Sequence, residues 1–376
     1  MVCMKIAFVY DIPYPWHRGG AEQIFNVESR EMAKKHDVHF FTMRWEGMKE
    51  DFFYENVHYH ALGKSITEKD AYKHGRRAIR EAVYFALHVR EIFNHDFDVV
   101  ITNAFPILHL PVIKAYCRAR NAKLVIKVDE VWDHRYWQNY LGVGIGSLAN
   151  AYANMLIRSG RAIYVANSSI TARGLEKLGI ESKRISKFAP VLEDKIFSEI
   201  RRSSRVKKNR IIFSGRFIKE KRIDKWLAAV DAARGYGFEF EALLIGEGIE
   251  KDNIEKKIED MKLKNLVKVK PFFKDKRDLY KVIAESKVLL HMGEREGLGI
   301  IALESIALGT SVVIPEYSPM PAEVKSMCIV EKEKDIPKQL VRIMKGRGGE
   351  YKPNMKNLKM FSTSNVVPFY EKLLNE

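Results

Sequence analysis

One pattern constrains this chain more than any other. Short runs of β-branched and aromatic residues alternate with segments of helical spacing from one end to the other. Lys5–Tyr10 is the first such run. It stops at Asp11 and the prolines Pro13 and Pro15, and His17–Glu22 then leads into a helical pattern (Ile24, Val27, Met32) ending near His36. Val38–Thr42, Asp98–Thr102, Leu124–Val128 and Ala162–Ala166 predict further strands, and residues 71–93 carry helical spacing. Such alternation predicts parallel sheets, because a parallel neighbour is reached only by a crossover long enough to hold a helix. The pattern breaks at Arg201–Arg210, polar and basic except for Val206, which reads as a linker. It restarts with strands at Ile211–Phe213, Phe240–Ile245, Val267–Val269, Val288–His291 and Ser311–Ile314. Helices are expected around Asp224–Arg234, Asp252–Met261, Lys276–Glu285 and Ile300–Leu308. A Gly-rich patch at Gly346–Gly349 precedes a last helix, from about Thr363 to Asn375. The expectation is an α/β chain of two doubly wound domains, 1–200 and 201–360, facing across a cleft. Functional residues then belong in loops at the carboxyl ends of the strands.

Composition removes several classes. The 46% hydrophobic and 30% charged residues allow a sizeable core and exclude general disorder. Cys3, Cys117 and Cys328 are too few and too far apart for a disulfide scaffold or a closed zinc cage, and point to a reducing compartment. Met1–Tyr10 has no basic region ahead of an apolar core, and no apolar run approaches the roughly 20 residues of a membrane span. A soluble, cytoplasmic protein is expected. The net charge of +16 concentrates in the second half: 36 Lys and Arg stand against 25 Asp and Glu there, and 28 against 23 in residues 1–200. That excess favours polyanions such as phosphorylated ligands, anionic lipid or nucleic acid. A solvated basic surface accounts for it equally well.

The densest chemical signal is Glu296-Gly-Leu-Gly-Ile-Ile-Ala-Leu-Glu304. Gly297 and Gly299 let the backbone approach a ligand, and free N–H groups at Leu298, Gly299 and Ile300 would favour an anion such as a pyrophosphate. Glu304, acceptor-only when ionised, suits paired hydroxyls such as those of a ribose. Without a ligand, Glu296 would cap the turn and Glu304 would pair with a nearby base. The second signal is Ser214-Gly215-Arg216-Phe-Ile-Lys-Glu-Lys221, directly after a strand. Here Arg216 offers a planar fork and Lys221 a point charge, both suited to phosphate oxygens. The third is Gly19-Gly20, which opens a helix after the first strand, so that Gly20 can lend an N–H. Neither this pair nor Gly246-Glu-Gly248 completes a dinucleotide fingerprint.

Together these residues resemble the retaining GT-B glycosyltransferases of glycosyltransferase family 4, over nearly the whole chain. The most specific parts are the Glu-x7-Glu motif ending in Glu304 and the Gly-Arg-x4-Lys motif of Gly215 to Lys221. The resemblance implies two Rossmann-like domains, with the C-terminal helix (361–376) returning to the first. It implies that Arg216 and Lys221 hold the diphosphate of a nucleotide-sugar donor and Glu304 its ribose. Glu296 would touch the donor sugar, Gly299 and Ile300 would give N–H groups, and Gly20 would close the site from the first domain. It also implies hexosyl transfer with retention, no cofactor and no essential metal.

The sequence departs from the family pattern after Leu124–Val128. Asp129-Glu130 stands where a His-Asp is common, with His134 a few residues on, so either Asp129 or His134 is the candidate near the reacting carbon. Asp96-Phe-Asp98 has the letters of a metal-binding Asp-x-Asp but precedes a strand, where it reads as a strand start. Acceptor contacts, to a sugar or a lipid-linked glycan, are expected in the first domain. Tyr136–Ile157 holds no charged residue and could touch a lipid-linked acceptor or the inner face of a membrane; the reading preferred for it is a buried helix and a glycine loop. Asn103–Pro111, with Phe105 and His109, is a second uncharged candidate. A basic nucleic-acid-binding protein is the alternative from another class, but no helix-turn-helix, zinc-finger or ribonucleoprotein signature supports it. A non-catalytic nucleotide-sugar-binding member of the fold is a third reading, against which the intact Arg216, Lys221, Glu296 and Glu304 weigh. The sequence leaves the oligomeric state open.

Overall fold

The computed structural model describes residues 3–17, 19–66, 79–196, 207–347 and 354–375. The chain forms two compact units. One runs to Val191 and regains the chain at Thr363–Glu376; the other is built from Leu192–Ser362.

In the first unit, β1 (Lys5–Val9), β2 (Asp37–Arg44), β3 (Asp51–Tyr54), β4 (Val57–Lys64), β5 (Val99–Asn103), β6 (Lys123–Val128), β7 (Ile163–Ala166) and β8 (Ile185–Lys187) form one sheet. Their order is β3-β4-β2-β1-β5-β6-β7-β8, parallel except for the hairpin strand β3. The apolar runs have their cause in burial on both faces: Ile6 through Val9 are fully buried. Sequence inspection missed the β3–β4 hairpin. Its turn residues Glu55 and Asn56 both take left-handed backbone (φ 49° and 65°), the conformation a two-residue hairpin needs.

The second sheet, β9 (Lys208–Ser214), β10 (Glu241–Ile245), β11 (Val267–Lys270), β12 (Ser286–Leu290), β13 (Ser311–Pro315) and β14 (Ile329–Glu331), has the order β11-β10-β9-β12-β13-β14 and is parallel throughout. Both units are doubly wound and Rossmann-like. The basic stretch read as a linker is corrected in part. Lys208–Arg210 open β9, where the Lys208 N–H donates to Glu285 O at 2.8 Å and Arg210 pairs with Glu241. Its residues 201–206 lie outside the described residues, as do 71–78 of the expected helix and 348–349 of the Gly-rich patch. Helix Ile336–Met344 was also missed, although Ile336, Leu340, Ile343 and Met344 repeat at helical spacing and are buried.

Helix Val366–Asn375 belongs to the first unit and buries Val366, Tyr370, Leu373 and Leu374. Its anchor is polar. Lys127 from β6 bonds the fully buried carboxylate of Glu28 on helix Gly20–Met32, and Tyr370 Oη donates to the other oxygen of Glu28 at 3.2 Å. Among the described residues no helix is long and apolar enough to cross a membrane.

Candidate active site

Each sheet reverses its direction of growth once. In the second unit the reversal lies between β9 and β12, so the loops leaving these strands diverge and leave a crevice at the carboxyl edge. Both dense motifs sit there. Gly215 directly follows β9 and donates its N–H to Ile245 O at 3.0 Å; Arg216 comes next, its exposed side chain without a hydrogen-bond or ion-pair partner among the described residues. Lys221 closes a short 3-10 turn (Lys219–Lys221) and reaches across the reversal to Glu296, Nζ to Oε2 2.8 Å. His291, directly after β12, bonds the same oxygen at 3.1 Å. The other oxygen of Glu296 accepts the Gly299 N–H at 3.1 Å. Burial opposes ionisation of Glu296, but the Lys221 ammonium and the His291 ring outweigh it and hold the carboxyl well below the usual carboxylate range.

Gly299 is the N-cap of helix Ile300–Ala307 at φ +87°, a left-handed position that a side chain would strain. Leu298 is buried beneath the turn, and Ile300 opens the helix with its N–H toward the strand ends. Glu304, in the second turn, is almost fully buried. Its Oε1 forms an ion pair with Lys276 at 2.6 Å and accepts from Tyr280 Oη at 3.0 Å. The capping role of Glu296 and the basic partner of Glu304, both foreseen for a ligand-free protein, are therefore present. Sequence reasoning missed His291, Lys276 and Tyr280. The last two could have been found, since positions i and i+4 at the start of one helix share a face.

In the first unit the reversal lies between β1 and β5. Gly19 is the N-cap of helix Gly20–Met32, and exposed Gly20 is its first residue. A side chain on Gly19 would collide with Glu22, whose Oε2 lies 2.0 Å from the position a Cβ would take. Glu22 is buried beneath this turn and accepts from Tyr10 Oη at 3.3 Å. Asp129 follows β6 and accepts from Asn103, the last residue of β5, at 2.7 Å. Burial lifts Asp129 above the usual carboxylate range; Asn103 and Lys127 oppose this only partly, and the Glu22 charge adds to it. His134 is brought elsewhere: it is exposed, and its ring bonds Ser147 at 3.0 Å and Gln138 at 3.3 Å. His109 is buried against Thr102, 2.7 Å away. Asp96 and Asp98 lie at the amino end of β5, paired with Arg120 and with the Lys5 N–H.

A carboxylate whose folded-state pKa is raised costs stability above its unfolded pKa, and the cost fades as pH falls through the raised value. Asp129→Asn is therefore expected to raise Tm at pH 7 by about 2–4 °C, what about 1 kcal/mol gives in a unit of this size. Melting curves at pH 7 and pH 4 should show the gain shrinking on acidification.

Residues 18–187 match the model described as Glycosyltransferase Family 4, and residues 196–341 match that of Glycosyl transferases group 1. The chain belongs to the family 4, group 1 glycosyltransferases. The fold of this glycosyltransferase is shared by solved structures of low identity. Sucrose-phosphate synthase of Thermosynechococcus elongatus is 13% identical with a TM-score of 0.76, over 99% of this chain and 98% of that one. HepE of Anabaena, solved with UDP-glucose, is 12% identical with a TM-score of 0.69, over 99% of each. WaaG, a glycosyltransferase involved in lipopolysaccharide biosynthesis, is 14% identical with a TM-score of 0.67, over 97% and 95%. A comparison with curated protein sequences returned no match. The glycosyltransferase fold is thus GT-B, as the Glu-x7-Glu and Gly-Arg-x4-Lys motifs implied.

Proposed function

We propose that the enzyme transfers a hexose from a nucleotide sugar to a saccharide or lipid-linked acceptor, with retention and without an essential metal. The observation that carries this reading is the Lys221–Glu296–Gly299 chain of bonds across the β9/β12 reversal, with Arg216 beside it. The HepE structure contains UDP-glucose, which supports the same donor class here. In this reading Arg216 and Lys221 bind the diphosphate, Leu298 and Ile300 supply N–H groups to it, and Gly215 and Gly299, whose N–H groups are held by Ile245 O and Glu296, let the chain approach it closely. The Glu304 oxygen not used by Lys276 and Tyr280 takes the ribose hydroxyls, and Glu296 faces the donor sugar.

The bond from the anomeric carbon to the phosphate oxygen breaks as the acceptor oxygen bonds that carbon on the same face. The acceptor proton passes to the departing phosphate. Negative charge grows on the diphosphate, where two cations and a helix opening stabilise it, among the largest contributions available to a catalyst. They perform the neutralisation that a divalent ion performs elsewhere. Gly19, Gly20 and Asp129 are assigned to the sugar-transfer and acceptor side. There Phe105 stacks on Trp132 (ring centroids 4.6 Å apart), with Trp137 5.0 Å from Trp132, a platform suited to a sugar face. The test is thermal stability against UDP, GDP, ADP and their hexose conjugates in EDTA. Stabilisation by one base supports the reading and names the donor; no response to any of them overturns it.

A peripheral membrane contact belongs to the same proposal. Tyr136–Ile157 forms helices His134–Leu141 and Val143–Arg158, and the second leaves Ile145, Leu148, Tyr152 and Met155 exposed in one stripe at helical spacing. No acidic residue lies between Arg135 and Arg158, so an anionic bilayer surface suits this face. Leu148→Asp is expected to reduce flotation with anionic vesicles about tenfold, with donor hydrolysis unchanged. Equal flotation of variant and wild type would remove the contact.

A further inference from the structure

At the edge of the first sheet, four of the histidines gather on one face. The register sets His39 on β2 opposite His58 on β4, and His60 opposite Asp51 on β3. His58 and His60 are two apart on one strand, so their rings share a face. His95 covers the group, its ring centroid 4.8 Å from that of His60. One ring nitrogen from each of His39, His58 and His60 lies within 4.8 Å of the other two.

The outer contacts of these rings matter most. Asp37 Oδ1 lies 3.3 Å from His39 Nε2, and Asp51 Oδ2 lies 3.2 Å from His60 Nδ1. A carboxylate accepts, so these two nitrogens carry the protons of the neutral rings. The remaining nitrogens, His39 Nδ1 and His60 Nε2, are then both acceptors, and they face each other at 2.7 Å. Two lone pairs at that distance repel unless something positive lies between them. A carboxylate that fixes the tautomer of a ligating histidine from behind is the usual outer partner of a bound metal.

We propose that His39 Nδ1, His58 and His60 Nε2 bind one transition-metal ion of the Zn²⁺ class, with Asp51 as fourth ligand or outer partner. Three imidazoles and a carboxylate are a donor set for Zn²⁺ rather than for Mg²⁺ or Ca²⁺. Tetrahedral Zn²⁺ with nitrogens at 2.0–2.1 Å needs them about 3.4 Å apart. The pair at 2.7 Å opens and the wider ones close by small ring rotations. Asp51 is largely exposed and His58 half-buried, which gives an ion an entry path from solvent. His39 and His58 stand near the amino ends of β2 and β4, at the edge of the sheet opposite Gly19 and Asp129. The ion would therefore clamp the edge hairpin to the sheet and take no part in sugar transfer.

The experiment is a calorimetric titration of Zn²⁺ alone into the untagged, EDTA-stripped and dialysed full chain, with Co²⁺ absorption as a second readout. One Zn²⁺ per chain is expected, with the strong visible bands of tetrahedral Co²⁺. Affinity should fall at least about 100-fold in His58→Ala and about 10-fold in Asp51→Asn, the scale seen when ligands or their partners are removed. If His58→Ala does not fold, Asp51→Asn, on an exposed side chain, decides. A wild-type chain that takes up no Zn²⁺, or variants that bind it as tightly as wild type, would overturn the site. Neither readout depends on nucleotide binding or turnover.

Discussion

Lys221→Ala is expected to lower turnover about 10²–10³-fold, the loss seen when one charge-stabilising donor is taken from a site where charge develops. The fold should remain. Lys221 is partly exposed on a 3-10 turn, and Glu296 keeps its bonds from His291 and Gly299 when the ammonium is gone. The loss comes from two sources. The diphosphate would lose a cation, and Glu296, no longer held by that cation, would be harder to ionise, because burial raises its pKa. Lys221→Arg, which keeps the charge but changes its shape, should recover part of the rate. Release of nucleoside diphosphate from the donor, with water as acceptor, makes the measurement possible before the acceptor is known. Near-normal release by Lys221→Ala would remove the phosphate-clamp assignment.

The second large effect concerns stability. Lys127→Met would leave Glu28 fully buried with only Tyr370 to bond it. Breaking one side of a buried pair costs about 3–5 kcal/mol, because the surviving charge is uncompensated. In a unit of this size that is roughly 10 °C or more in Tm. Burial already lifts Glu28 above the usual carboxylate range, with Lys127 as the main opposing influence. Removing the lysine lifts it further, so the destabilisation should be largest at neutral pH and above. It should shrink as pH falls and Glu28 takes up a proton. The double variant Lys127→Met with Glu28→Gln should recover much of the loss. A single variant that melts with the wild type would show that the pair does not anchor helix Val366–Asn375.

Both effects arise where the sequence was readable in type but not in partner. Glu296, Lys221 and Arg216 stood out because glycine turns after strands are where such residues act. That Lys221 reaches Glu296, 75 positions away, follows only from the strand order β9-β12, which no local pattern encodes. The same applies to the pair Glu28 and Lys127. Both look like ordinary surface charges in a helix and a strand, and tertiary burial turns them into a linked pair. Strands were legible because burial on both faces makes them uniformly apolar. The β3–β4 hairpin was not, because it is an edge: Asp51–Tyr54 is half exposed and mixes acid with aromatics. The opening of β9 was masked for the same reason, since Lys208 and Arg210 carry charge into a strand whose first residues face solvent. Asp129 and His134 could not be ranked from spacing. The helix that starts at His134 turns its ring toward Ser147, while Asp129 stays at the strand end beside Asn103.

The most direct measurement is calorimetric titration, in EDTA, of the nucleoside diphosphate chosen by the thermal screen. It would be made against wild type and Arg216→Ala. The exposed Arg216 side chain makes no hydrogen bond or ion pair among the described residues, so its loss should leave Tm unchanged and act on the ligand alone. Saturable one-to-one binding is expected for wild type, and at least about tenfold weaker binding for the variant. Equal affinities, or a wild type that binds no nucleotide, would contradict a donor site at the β9/β12 reversal.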